Sequence, residues 1–128
     1  MSSENLHVPR ERLSTEARLL HNAIVSLQEE LDAVDWYRQR ADDTEDDALK
    51  QVLLHNMREE MEHASMLLEW IRRHNKDFEG FLRTYLFTDA PLVEVERKAE
   101  GKAADTRGNR SDGGRSGFGF TIGPLREW

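Results

Sequence analysis

Cysteine is absent from the 128 residues, which excludes disulfides, thiol catalysis and thiolate ligation of a metal. Proline is scarce, and seven of the eight glycines fall between Gly101 and Gly123, so about 90 preceding residues are rich in helix formers. No apolar run approaches the roughly 20 residues that cross a bilayer, and no signal-peptide pattern opens the chain, so a soluble cytoplasmic protein is expected, without a membrane partner. Basic residues are the minority, 18 against 25 acidic, and the net charge of −7 argues against a nucleic-acid partner while favouring solubility and the attraction of cations.

What is present is helical periodicity, and the fold expected is all-α. From about Ser14 to Arg40, Leu20, Ile24, Leu27, Leu31 and Val34 recur at helical spacing on one face. The acidic stretch Asp42 to Asp47 interrupts that stripe, with Thr44 as a candidate N-cap for the next helix and Asp47 in its favourable first turn. A second helical run, Asp46–His74, carries Leu53, Met57, Met61, Ala64, Leu67, Leu68 and Ile71, and ends on basic residues that suit the negative pole of a helix. The short turn implies an antiparallel hairpin. Phe78 to Phe87 holds enough aromatic and aliphatic groups for a short third helix or an apolar patch for an oligomer contact, and a brief helix fits Leu92 to Glu100. Two long amphipathic helices share only one seam, so self-association is the expected way to cover the remaining apolar surface.

The domain organisation expected is a helical domain over residues 1–100, a glycine-rich polar tether over 101–117, and a terminal peptide over 118–128 that regains Phe118, Phe120, Ile122, Leu125 and Trp128. From composition, that peptide is either a docking segment or a strap onto its own domain.

The chemistry lies where polar residues interrupt the apolar stripes. Glu60 falls in the series Leu53, Met57, Glu60, Ala64, Leu67, Ile71, so it points at the packed seam, and His63 follows less than one turn later. Glu30 intrudes in the same way among Leu27, Leu31 and Val34. Burying an ionised carboxylate without compensation costs several kcal/mol, which calls for a cation or a strong donor beside it. In an antiparallel hairpin the depths of Glu30 and Glu60 differ by roughly 6 Å, a mismatch that modest stagger or a partner chain absorbs. Carboxylate-bridged dimetal bundles need a Glu from each of two helices and a Glu-x-x-His from each of two more. This chain carries half of that set, and a two-fold dimer would supply four carboxylates and two imidazoles. Oxygen ligands with one imidazole per metal favour iron or manganese. The plain alternative is that Glu60 pairs with Arg58 or another arginine and that His63 is an ordinary flanking residue. His55 is either an outer donor or a surface histidine, and Glu29, Asp32, Glu59 and Glu62 are either an outer cation site or a solvated acidic face. Trp36, Tyr37 and Trp70 are chiefly packing candidates.

Gln28-Glu29-Glu30-Leu31-Asp32-Ala33-Val34-Asp35-Trp36-Tyr37, together with His55-Asn56-Met57-Arg58-Glu59-Glu60-Met61-Glu62-His63-Ala64, resembles the encapsulated ferritins, and Leu82 to Thr88 extends the likeness over approximately residues 13–90. The resemblance implies a ferritin-like half-bundle, an antiparallel two-helix hairpin plus a short C-terminal helix that dimerises into a four-helix bundle, with dimers assembled into a decameric ring. It implies a di-iron ferroxidase, with Glu30, Glu60 and His63 as ligands and Fe(II) as substrate, oxidised by O₂. An auxiliary metal site would involve Glu29 and Asp32, where the family's usual Glu is replaced by the shorter carboxylate. The resemblance also gives the terminal peptide a purpose: Phe120-Thr121-Ile122-Gly123-Pro124-Leu125 looks like the signal that directs such proteins into an encapsulin shell, although Pro124 and Trp128 depart from its simplest form. A peroxide-consuming di-iron or manganese protein and a noncatalytic metal-binding shell adaptor are the competing expectations.

Overall fold

The structure, a computed structural model, describes residues 6–108, and the terminal peptide and most of the tether lie outside the described residues. It is all-α, with four α-helices after a short 3-10 turn at Arg10–Arg12: α1 (Thr15–Asp43), α2 (Asp47–His74), α3 (Lys76–Tyr85) and α4 (Leu92–Gly108). No helix among the described residues is long and apolar enough to cross a membrane.

The first three α-helices start where a short polar side chain can satisfy free amides. Ser14 caps α1 by accepting from the Ala17 amide at 3.0 Å, and Arg18 ties the preceding turn down through Leu13 O. The α1–α2 connection is Thr44 to Asp46, and within it the expected capping assignment changes. Asp46, rather than Thr44, caps α2, accepting from the Leu49 amide at 2.8 Å. Thr44 instead closes α1 through its own amide to Arg40 O, while its hydroxyl accepts from the Asp46 amide. A connection this short needs one residue to end the first helix and another to begin the second, and the ionised Asp is the stronger partner for the α2 amides and dipole.

One residue, Asn75, separates α2 from α3, and its side chain caps α3 by accepting from the Phe78 amide at 2.9 Å. The third helix therefore begins two residues before Phe78 and stops short of Phe87. Its start is latched onto α2: Arg72 makes two bonds to Glu69 and one, at 3.1 Å, to Glu79, while Arg73 adds a third bond to Glu69 and Arg83 a second to Glu79. The two guanidinium groups of Arg72 and Arg73 hold the Glu69 carboxyl down to about 2. A carboxyl lowered in the folded chain stabilises it above the ordinary carboxylate range and loses that effect only as pH falls toward 2, so the bonds of Glu69 to Arg72 and Arg73 persist under mild acid.

The described residues divide into two compact units between Leu86 and Phe87, and Phe87 takes a left-handed conformation (φ 58°) with its side chain fully exposed. The second unit contributes α4, which continues through Gly101 to Gly108 and so overlaps the start of the expected tether. One glycine costs a helix about 1 kcal/mol, and the lysine and alanines after it in sequence favour continuation.

In the first unit α1 and α2 pack along one another. The core they make is small. Among the described residues only Ala23, Ala41, Ala64 and Ile71 are buried, and Ile71 is the one large side chain wholly enclosed. Leu31, placed by periodicity on the seam, is 53 % exposed, and Leu19, Leu49, Val52, Met61 and Met66 are exposed as well. The apolar arc of each helix is wider than the strip a single neighbour covers, so its flanks stay in water in one chain. Ile71→Ala is expected to destabilise the protein by about 3 kcal/mol, within the usual range for emptying a fully buried aliphatic site. Chemical denaturation followed by circular dichroism measures this, and an unchanged midpoint would place the core elsewhere.

Candidate metal centre

Glu30 projects from the middle of α1, and Glu60 and His63 from the middle of α2. On α1 the half-buried and buried positions Leu20, Ala23, Leu27, Glu30, Val34, Tyr37 and Ala41 step by three and four, which puts Glu30 on the face that meets α2. On α2 the same stepping through Leu53, Met57, Glu60, Ala64, Leu67 and Ile71 turns Glu60 toward α1, with His63 at its edge.

These placements bring three ligand-type atoms within 4.8 Å of one another, the one such group of three or more among the described residues. His63 Nδ1 lies 3.3 Å from Glu60 Oε2 and 3.7 Å from Glu30 Oε2. Both carboxylates are half-buried, about a quarter exposed, and the imidazole is 44 % exposed. Among the described residues neither carboxylate is ion-paired to an arginine or lysine. His63, and not Arg58, is the partner of Glu60.

The electrostatics follow from two like charges sharing a partly dry seam. Glu30 is raised, first by its hydrogen bond to Glu60, then by burial and by the Glu60 charge, against the opposing pull of His63. Glu60 is lowered, first by accepting that hydrogen bond from Glu30, and further by His63, although burial opposes the shift. The two carboxyls titrate as a pair, Glu30 shifted up and Glu60 down. At His63 burial works against the charged ring, but the bond to Glu60 and the charges of Glu30, Glu60 and Glu59 outweigh it and raise the imidazole. Glu59, grouped by sequence with the outer acidic face, therefore acts on the centre. Its position four residues before His63 was the available signal.

Two hard carboxylates and an imidazole, with no thiolate, form a donor set suited to iron or manganese, and a divalent ion would relieve the Glu30–Glu60 repulsion. The remaining candidates sit apart. Glu29 and Asp32 are on the exposed side of α1, Glu62 is exposed on α2, and His55 forms an exposed pair with Glu59 at 3.7 Å. Trp36 is exposed and Tyr37 is half-buried beneath Arg40, whereas Trp70 stacks on His74 at 3.9 Å near the end of α2.

Comparison with known proteins places the chain in context. A family model described as EncFtn-like matches residues 5–89. The encapsulated ferritin-like protein of Rhodospirillum rubrum is 49 % identical over 112 residues, 88 % of this chain and 76 % of that protein. The ferritin-like protein of Thermotoga maritima is 44 % identical over 107 residues, covering 84 % of this chain and 94 % of that one. Among solved structures, protein ne0167 from Nitrosomonas europaea aligns with a TM-score of 0.67 and 51 % identity over 69 % of this chain and 97 % of its own.

The upward shift of Glu30 makes stability depend on pH. Because Glu30 is raised on folding, its favourable contribution is present below the ordinary carboxylate range and is lost as pH rises through its folded value. Glu30→Gln, which keeps a donor for Glu60 and removes the charge, should raise the thermal midpoint of the metal-free protein near pH 8 by a few degrees at most. The gain should shrink as pH falls toward the carboxylate range. A fall in the midpoint near pH 8 would show that the pair carries no repulsion.

Proposed function

The chain belongs to the EncFtn-like family, and from that membership together with the Glu30, Glu60 and His63 cluster we propose a ferroxidase acting at a di-iron centre that two copies of the chain complete between them. The enzyme oxidises Fe(II) to Fe(III) with dioxygen as electron acceptor. Ferrous iron is the substrate, and the ferric product hydrolyses readily and so enters a storage form.

The observation that carries this reading is the incompleteness of the cluster. Its two carboxylates and one imidazole lie together on the two helices, half-buried and without a basic partner among the described residues. A dimetal bundle needs twice that set. A two-fold axis beside the cluster would bring a second Glu30, Glu60 and His63 opposite the first. The same axis would cover exposed apolar side chains that one chain leaves in water. In this arrangement the carboxylates of Glu30 and Glu60 and the imidazole of His63 from both copies would hold the ferrous ions, with Glu59 adding negative charge nearby.

The finer parts of the reading are proposals of the same kind. The homodimer is the minimal active unit, and dimers build a homodecameric ring. Glu29 and Asp32, exposed on α1, take incoming cations on the outer side. The segment 118–128, outside the described residues, binds an encapsulin shell protein, so that oxidation proceeds inside a nanocompartment. Its support is the apolar composition of that segment after a glycine-rich stretch, and the name of the R. rubrum relative, which calls that protein encapsulated.

Anaerobic addition of Fe²⁺ followed by air tests the chemistry. Glu30→Ala, Glu60→Ala and His63→Ala should each slow iron oxidation at least about tenfold, the order expected when a metal ligand or its close support is lost. Equal rates in wild type and all three variants would remove these residues from the site. Deleting 118–128 should leave the oxidation rate unchanged and abolish co-purification with a co-expressed shell protein.

A further inference from the structure

The chain has four methionines, and the three internal ones, Met57, Met61 and Met66, all lie on α2 within three residues of Glu60 or His63. Met57 is half-buried on the seam, three residues before Glu60, so the two side chains are neighbours on one face. Met61 directly follows Glu60 and is 44 % exposed. Met66 is 58 % exposed and three residues beyond His63, again a neighbouring position on the helix surface. Two long, exposed thioethers on the stretch of α2 that carries a candidate iron centre are not explained by the core of a single chain.

We propose that Met61 and Met66 are oxidation sites for the peroxide that the centre itself generates, converting to methionine sulfoxide as iron is turned over. The inference rests on the ferroxidase reading. Two ferrous ions give two electrons to one dioxygen, which takes up two protons and leaves as hydrogen peroxide. A thioether sulfur then donates a lone pair to one peroxide oxygen, the O–O bond breaks, and the other oxygen departs as water, leaving the sulfoxide. The sulfur is oxidised, the peroxide reduced, and no further reactant is needed. Formation of the oxidant at a centre on the same stretch of α2 is what favours these sulfurs over other acceptors, because a locally formed reactant meets them at a high effective concentration. Packing at an interface between copies is compatible with this role, since the oxidant arises inside that interface. Each sulfoxide turns an apolar side chain into a polar one, so modification also marks chains that have turned over many times.

Peptide mass spectrometry of the full-length protein reads the modification directly. Trypsin cleavage after Arg58 and Arg72 yields the peptide 59–72, which holds Met61 and Met66, while Met57 falls in the separate peptide 51–58. The protein is given repeated additions of Fe²⁺ in air with catalase present to remove peroxide from bulk solution, and iron oxidation is recorded in the same samples. Expected is a several-fold rise of the +16 Da form of 59–72 over the iron-free sample, with fragment ions placing the oxygen on Met61 and Met66. Neither anaerobic Fe²⁺ with wild type nor aerobic Fe²⁺ with Glu30→Ala should give that rise. Rapid iron oxidation by wild type with 59–72 unmodified would overturn this inference and leave the ferroxidase intact. Equal modification in wild type and Glu30→Ala would assign the sulfoxide to bulk iron chemistry, and overturn it too. Absence of wild-type iron oxidation would remove the ferroxidase reading and this inference with it.

Discussion

Two carboxylates facing each other in a helix seam set the terms for the rest of this molecule. Glu30 and Glu60 occupy positions that the surrounding periodicity assigns to apolar side chains, where carboxylate charge is unfavourable without a partner. In the single chain the two carboxyls shift in opposite directions, Glu30 up and Glu60 down, with a raised His63 beside them. A divalent cation would offset the charge of both. Packing and chemistry therefore meet at one place: the side chains that weaken the hairpin are those that give it a ligand set.

The weakness is visible in the core. Three alanines and one isoleucine are the buried residues among those described, whereas leucines, valines and methionines along α1 and α2 stand exposed. A hairpin of this kind is held by its caps and its short connections as much as by burial: Ser14, Asp46 and Asn75 each satisfy a helix start, and the Glu69–Arg72–Glu79 bridge fixes α3 to α2. Burial gained from a second copy would add the missing apolar contact at about 25 cal/mol for each Å² removed from water. The need for more ligands and the need for more core point to the same remedy.

Much of this was legible in the sequence because helical spacing carries it. Glu30, Glu60 and His63 could be assigned to one face from the residues around them, and the structure brings them together as a consequence of that same spacing. The α2 start was harder, since Thr44, Asp46 and Asp47 are all competent near a helix N-terminus, and only the length of the connection decides for Asp46. The aromatic run marked the apolar face of α3 but not its ends. Those are set by the Asn75 cap and by the left-handed Phe87, neither of which follows from an aromatic pattern. Leu31 shows the limit of periodicity: it identifies which face is apolar, not how wide a strip the neighbour covers. The opposite shifts of Glu30 and Glu60 depend on distances across the helices, which spacing along either helix does not contain.

The central claim is that one chain holds half of a dinuclear centre. Native mass spectrometry of the protein titrated anaerobically with Fe²⁺ tests it most directly, because it reports chain number and metal number in the same ion. Iron should appear on species with an even number of chains, at two ions for each pair, and Glu60→Ala should leave those species without it. Tight binding of iron by a single chain, with no change in assembly on adding metal, would contradict it.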